Sequence, residues 1–186
     1  MPKHPANGTE LLKFVMNSKV RGFTFCGMKG FNESIVHQSG KYAESTWGII
    51  FHFEENKNAI LTWGEDKEVG DPFFIDFKPH NDFINIPSEL KNVTEYSPWS
   101  RYINKVNSSA NLHCYLTNYN DANSWHDVPW GIEFVFDDSQ RMLIAALHHG
   151  DFLNYLLCAD EVVICFDQEL IDLVIQSHSE FISEWS

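Results

Sequence analysis

Apolar and polar positions alternate most clearly in two places, and the two places match. Trp47-Gly48-Ile49-Ile50-Phe51-His52-Phe53-Glu54-Glu55 and Trp130-Gly131-Ile132-Glu133-Phe134-Val135-Phe136-Asp137-Asp138 share the pattern W-G-I-x-F-x-F-acid-acid, 83 positions apart. A period of two puts Trp47, Ile49, Phe51 and Phe53 on one face of a strand, and Trp130, Ile132, Phe134 and Phe136 on one face of another. Each copy then passes through a polar turn (Asn56-Lys57-Asn58; Ser139-Gln140-Arg141) into a second apolar run. The pattern predicts two β-hairpins, 47–63 and 130–147, with buried aromatic faces and acidic tips. The echo fits a duplicated half-domain, two neighbouring hairpins of one sheet, or a chance likeness of strand–turn–strand units. Two copies at so long a period do not make a solenoid.

The remaining elements follow from the same reading. Thr9 is a candidate cap for a helix from Glu10 to about Ser18. Gly22–Gly27, Pro72–Phe77 and Leu112–Leu116 read as strands, with Pro79 ending the second. Glu95 to Val106 has Trp99, Tyr102, Ile103 and Val106 at helical spacing. Thr117 to Asp127 is turn-rich and loop-like. Glu161 to Phe166 is apolar on both faces, which predicts a central strand. Asp167 or Gln168 opens a last helix whose Leu170, Ile171, Val174, Ile175, His178, Phe181 and Ile182 form an apolar stripe. The sum is a single α+β domain over 1–186, with mostly antiparallel sheet and helices at the two ends of the chain.

The chain has 186 residues, 44% hydrophobic and 21% charged, which is globular composition with ample core. The first residues lack the continuous apolar core of a secretory signal, and no stretch reaches the length of a membrane span, so a cytoplasmic protein is expected. Cys26, Cys114, Cys158 and Cys165 are scattered without a C-x-x-C, which reads as small hydrophobes rather than a disulfide framework or zinc site.

Charge changes the picture. The net is −13, which disfavours nucleic acid and anionic membrane as partners. Residues 1–93 hold 12 acids against 10 bases, whereas residues 94–186 hold 14 acids against Arg101, Lys105 and Arg141. The excess therefore lies in the second half. Even self-repulsion for solubility would not require such asymmetry, and a basic partner accounts for it.

Candidate chemistry is sparse. His148, His149 and Asp151 form the best metal-like cluster, although adjacent strand histidines point to opposite faces unless Gly150 bends the chain. Asp160/Glu161 and Asp137/Asp138 are paired carboxylates at turns and strand ends. No nucleophile elbow, P-loop, dinucleotide fingerprint, EF-hand loop or zincin motif is present, and neither catalysis nor a cofactor is expected.

An acidic, aromatic-rich, motif-free domain with the segments Pro129–Phe136 (P-W-G-I-E-F-V-F) and Ala159–Asp167 (A-D-E-V-V-I-C-F-D) resembles the immunity proteins of bacterial polymorphic toxin and contact-dependent inhibition systems. That resemblance implies a cytoplasmic, non-enzymatic inhibitor of a cationic toxin domain, an RNase or DNase, whose acids stand in for substrate phosphates. The expected contacts are Glu133, Asp137, Asp138, Asp160, Glu161, Asp167, Glu169 and Asp172, with Tyr119 and Trp125 as apolar anchors. The alternatives are a metal-dependent hydrolase using His148, His149 and Asp151 with Asp160/Glu161, and a small-ligand or glycan module using exposed aromatics.

Overall fold

A computed structural model describes residues 8–28, 36, 39–66, 71–79, 88–117, 126–147 and 161–185. A helix, α1 (Gly8–Val15), leads into β1 (Val20–Met28), then β2 (Tyr42–Ser45), β3 (Gly48–Phe53), β4 (Asn58–Asp66), β5 (Asp71–Pro79) and β6 (Ser88–Asn92). A short 3-10 turn (Trp99–Tyr102) precedes β7 (Asn107–Thr117), β8 (His126–Phe136), β9 (Arg141–Ala146), β10 (Val162–Cys165) and the long helix α2 (Gln168–Trp185). Two five-stranded sheets result, in the orders β5-β4-β3-β1-β6 and β2-β10-β9-β8-β7, and every described pairing is antiparallel. The α+β class holds, with the two expected hairpins at β3–β4 and β8–β9.

The hairpins lie in different sheets and face each other. Ile49, Phe51 and Phe53 share one buried cluster with Ile132, Phe134 and Phe136. The rings of Phe51 and Phe134, equivalent positions of the echo, stand 5.0 Å apart. Each aromatic face covers the other, as two half-buried sheets must.

The repeat extends beyond the motif. β1-β3-β4-β5 and β7-β8-β9-β10 are antiparallel four-strand runs of the same spatial order, the first interrupted in the chain by β2, which joins the other sheet. Lys19 and Val106, just ahead of β1 and β7, form an antiparallel bridge. Around it the bonds come in matched pairs. Asn17 N–H donates to Asn107 O at 2.8 Å, and Asn104 N–H donates to Val20 O at 2.9 Å. Glu54 N–H donates to Lys19 O and Asp137 N–H to Val106 O, both at 3.0 Å. Asn17 and Asn104 both take a left-handed φ, 59° and 66°, a conformation that asparagine tolerates better than most side chains. Two copies of one helical-turn–strand–hairpin–strand plan thus meet about an approximate two-fold axis.

The structure corrects several expectations. Trp47 and Trp130 leave the face of their motifs: Trp130 packs against α2 on the outer side of its sheet, and Trp47 joins Cys26, Ile50 and Ile60. The cause is local. Opposite Trp130 the ladder passes from His113↔Gly131 to Cys114↔Pro129, so Trp130 is an extra residue and alternation shifts. In the first copy, Trp47 precedes the strand, and Ser45 Oγ accepts from Gly48 N–H at 2.9 Å. The helix expected over Glu95–Val106 shrinks to Trp99–Tyr102, because Ile103 is already extended and β7 begins at Asn107. Trp99 and Tyr102 still reach the core, at 0% and 1% exposure. Thr9 lies inside α1 rather than capping it. The expected loop over Thr117–Asp127 yields its ends to strands, with Thr117 closing β7 and His126 opening β8.

β10 occupies an interior place between β9 and β2, as its apolar run predicts. Asp167 caps α2 by accepting the Leu170 N–H at 3.0 Å. Leu170, Ile171, Val174 and Ile175 pack α2 onto the outer face of the second sheet. Cys26, Cys114 and Cys165 carry thiols rather than disulfides, and Cys158 is outside the described residues.

Candidate functional site

Five described acids of the second half, Asp137, Asp138, Asp167, Glu169 and Asp172, lie where the β8–β9 turn meets the start of α2. Antiparallel pairing puts that turn beside the first residue of β9, Arg141, and α2 returns over it: Gln168 Nε2 donates to Arg141 O at 3.2 Å. Asp137 and Asp138 occupy the turn, both exposed. Asp167 and Glu169 open α2, and Asp172 follows one turn later.

Glu133 differs from its neighbours. It is 5% exposed, on the outer face of β8, and its carboxylate is the hub of a polar network. Oε1 accepts from Arg141 Nε, Oε2 accepts from Asn111 Nδ2 at 3.0 Å, and Oε2 lies 3.4 Å from His113 Nε2. Arg141 continues the network to Asp172, donating from Nη1 to Oδ1 at 2.6 Å. The His113 contact, with those from Asn111 and Arg141, outweighs burial and holds the Glu133 carboxyl down at about 2. Glu133 is therefore an internal anchor rather than the surface contact expected for it. Leaving it buried without Arg141 would strand a desolvated charge.

A column of rings adjoins this network. His113 packs against Trp130 at 5.4 Å, and Trp130 stacks on His178 of α2 at 4.5 Å. Burial pushes the His178 pKa down, against the pull of Val174 O at 2.8 Å from Nδ1.

Other nominated acids are also engaged. Asp138 accepts from Lys105 Nζ at 2.5 Å, which lowers its pKa, and Asp167 lies 3.9 Å from Lys41 Nζ. Glu161 is half-buried ahead of β10. Asp137 and Glu169 are exposed. Asp160, Tyr119 and Trp125 lie outside the described residues, as do His148, His149 and Asp151. Among the described residues, no group of three or more His, Cys, Asp or Glu could hold a metal ion. No described helix is long and apolar enough to cross a membrane.

The structure adds a groove that sequence reading missed. It has a volume of about 390 Å³ and is walled by the β8–β9 turn, the Trp99–Tyr102 turn and the start of α2. Lys41, Arg101, Asp138 and Asp167 line it, over a floor of Tyr102 and Phe166. Its residues come from four separate segments, so no local spacing could reveal it. Its only sequence trace was Arg101, one of three bases in an acidic half.

No protein-family model, no curated protein and no solved structure matches the chain.

Proposed function

We propose that the chain is a non-enzymatic binding protein that engages a cationic protein partner, and that the partner is a toxin nuclease domain. The carrying observation is the imbalance of the second half, 14 acids against three bases. Internal pairing cannot absorb it. Lys105 and Arg141 are already committed to Asp138, Glu133 and Asp172, and the first half is itself net −2. Asp137, Glu169 and the outer part of Asp172 stand exposed around the start of α2 and offer the electrostatic contacts. Such a face raises association rates with a basic protein by about 10–10³-fold and rejects acidic competitors. The nuclease reading rests on the resemblance to toxin-neutralising immunity proteins, in which carboxylates stand in for phosphates.

The test uses the reading frame next to this gene. If it encodes an exported protein with a basic C-terminal domain, expression of that domain alone should arrest growth, and co-expression of this chain should restore it. An operon of metabolic enzymes, or arrest that the chain does not relieve, overturns the proposal.

A further inference from the structure

The groove beside the β8–β9 turn is a charged site whose cations are less committed than its acids. Asp138 accepts from Lys105 Nζ at 2.5 Å and from Gln140 N–H at 3.2 Å. Asp167 accepts from Leu170 N–H at 3.0 Å. Arg101, by contrast, donates only from Nε, to Pro98 O at 3.4 Å, and lies 5.8 Å from the centre of the Tyr102 ring. Among the described residues, both of its terminal nitrogens are uncommitted. The Lys41 ammonium has, among the described residues, only the 3.9 Å contact with Asp167. Two cations with donors to spare favour an oxyanion, and a guanidinium matches a planar carboxylate with two parallel bonds. The fixed acids beside them penalise a dianion such as phosphate and welcome a positive group next to the anion.

The internal repeat supplies a second, independent argument. By the offset that superposes Asn17 on Asn104, Arg101 corresponds to Phe14 and Tyr102 to Val15. By the hairpin offset, Gln140 corresponds to Lys57. The first copy packs Phe14 and Val15 against the core, whereas the second sends Arg101 into the groove. The acid at Asp138 recurs in the first copy as Glu55, so Arg101 is the part of the lining that the shared plan does not require and that distinguishes this half.

We propose that this groove binds a small zwitterion of the α-amino-acid or peptide type. Arg101 and Lys41 take its carboxylate, and Asp138 and Asp167 face its ammonium. The site is independent of the toxin-binding reading and survives if that reading fails.

Calorimetric titration of the whole chain tests it, with glycine and glycylglycine as zwitterions and with acetate, methylammonium and inorganic phosphate at matched ionic strength. Saturable binding of a zwitterion is expected, at least about 10-fold tighter than acetate or methylammonium alone. R101A and K41A, both changes at exposed side chains, should each weaken it about 10-fold while leaving the circular dichroism spectrum unchanged. No saturable binding below about 10 mM overturns the proposal. So does phosphate binding as tightly as the zwitterion, or affinity unchanged in both variants. Relative affinity for glycine and glycylglycine then separates a free amino acid from a chain end.

Discussion

Replacing Glu133 by Gln keeps the shape of the side chain and removes its charge. In the folded protein the carboxyl titrates at about 2 rather than 4.5. At 1.36 kcal/mol per unit, that difference corresponds to stabilisation on the order of 3 kcal/mol at neutral pH. The sign follows from the direction of the shift. A depressed carboxyl stabilises the fold fully above the unfolded value and loses that contribution as pH falls towards the folded one. Urea unfolding followed by tryptophan fluorescence should therefore show E133Q less stable by about 2–3 kcal/mol at pH 7, with the gap narrowing through pH 4 and closing near pH 2. Arg141 retains Asp172 at 2.6 Å, an exposed and screened partner that compensates only in part. Changing Arg141 to Met in the E133Q background should then recover stability by removing a half-buried cation that has lost its main partner. A gap that does not vary with pH, or no gap at pH 7, refutes the network as the source of stability.

Three further outcomes follow from the packing. A Cβ on Gly48 would lie 2.2 Å from Leu61 O, whereas one on equivalent Gly131 meets nothing closer than 3.4 Å, at Ile144 O and Leu143 Cδ1. G48A should cost about 3 kcal/mol or more in chemical denaturation and G131A within about 1 kcal/mol, and equal costs would contradict the asymmetry. Phe51→Ala and Phe134→Ala should each cost about 3–5 kcal/mol, and a double-mutant cycle should show coupling of about 0.5–1.5 kcal/mol between the two rings. His178, with its pKa lowered by burial, destabilises the fold progressively as pH drops below 6.5, where the unfolded chain takes up the proton more readily. Stability of H178F should lose that part of the slope between pH 7 and 5 while keeping the stack on Trp130, and an unchanged slope would show that other groups set it.

The hairpins, β10 and α2 were legible in the sequence because each carries a period that burial enforces. Ile49, Phe51 and Phe53 alternate because one sheet face is dry, and α2 carries its stripe because one side covers the second sheet. The motif tryptophans leave their face for two local reasons that carry no periodic trace: an extra residue at Trp130 reverses alternation, and Trp47 lies ahead of its strand, in the turn that Ser45 holds. Trp99 and Tyr102 have helical spacing in the sequence, yet only one 3-10 turn forms there. Burial of one short turn produces the same spacing as a helix, and the extended Ile103 that stops it is a backbone property. The acidic surface was visible as a count, but the count hides partnership. Glu133, Asp138, Asp167 and Asp172 find cations that lie 8, 33, 126 and 31 residues away in the chain. The groove was illegible for the same reason, since Lys41 and Arg101 meet only through tertiary structure.

The central claim, that excess carboxylate on the second half meets a positively charged protein, is tested most directly by stopped-flow association with the basic domain encoded beside the gene. Wild type should bind with a rate that falls steeply from low to high salt. Reversing the exposed Asp137 and Glu169 together to lysine should slow association about 10-fold or more and flatten the salt dependence. A rate and a salt slope that stay at wild-type values in the reversed protein would contradict the account.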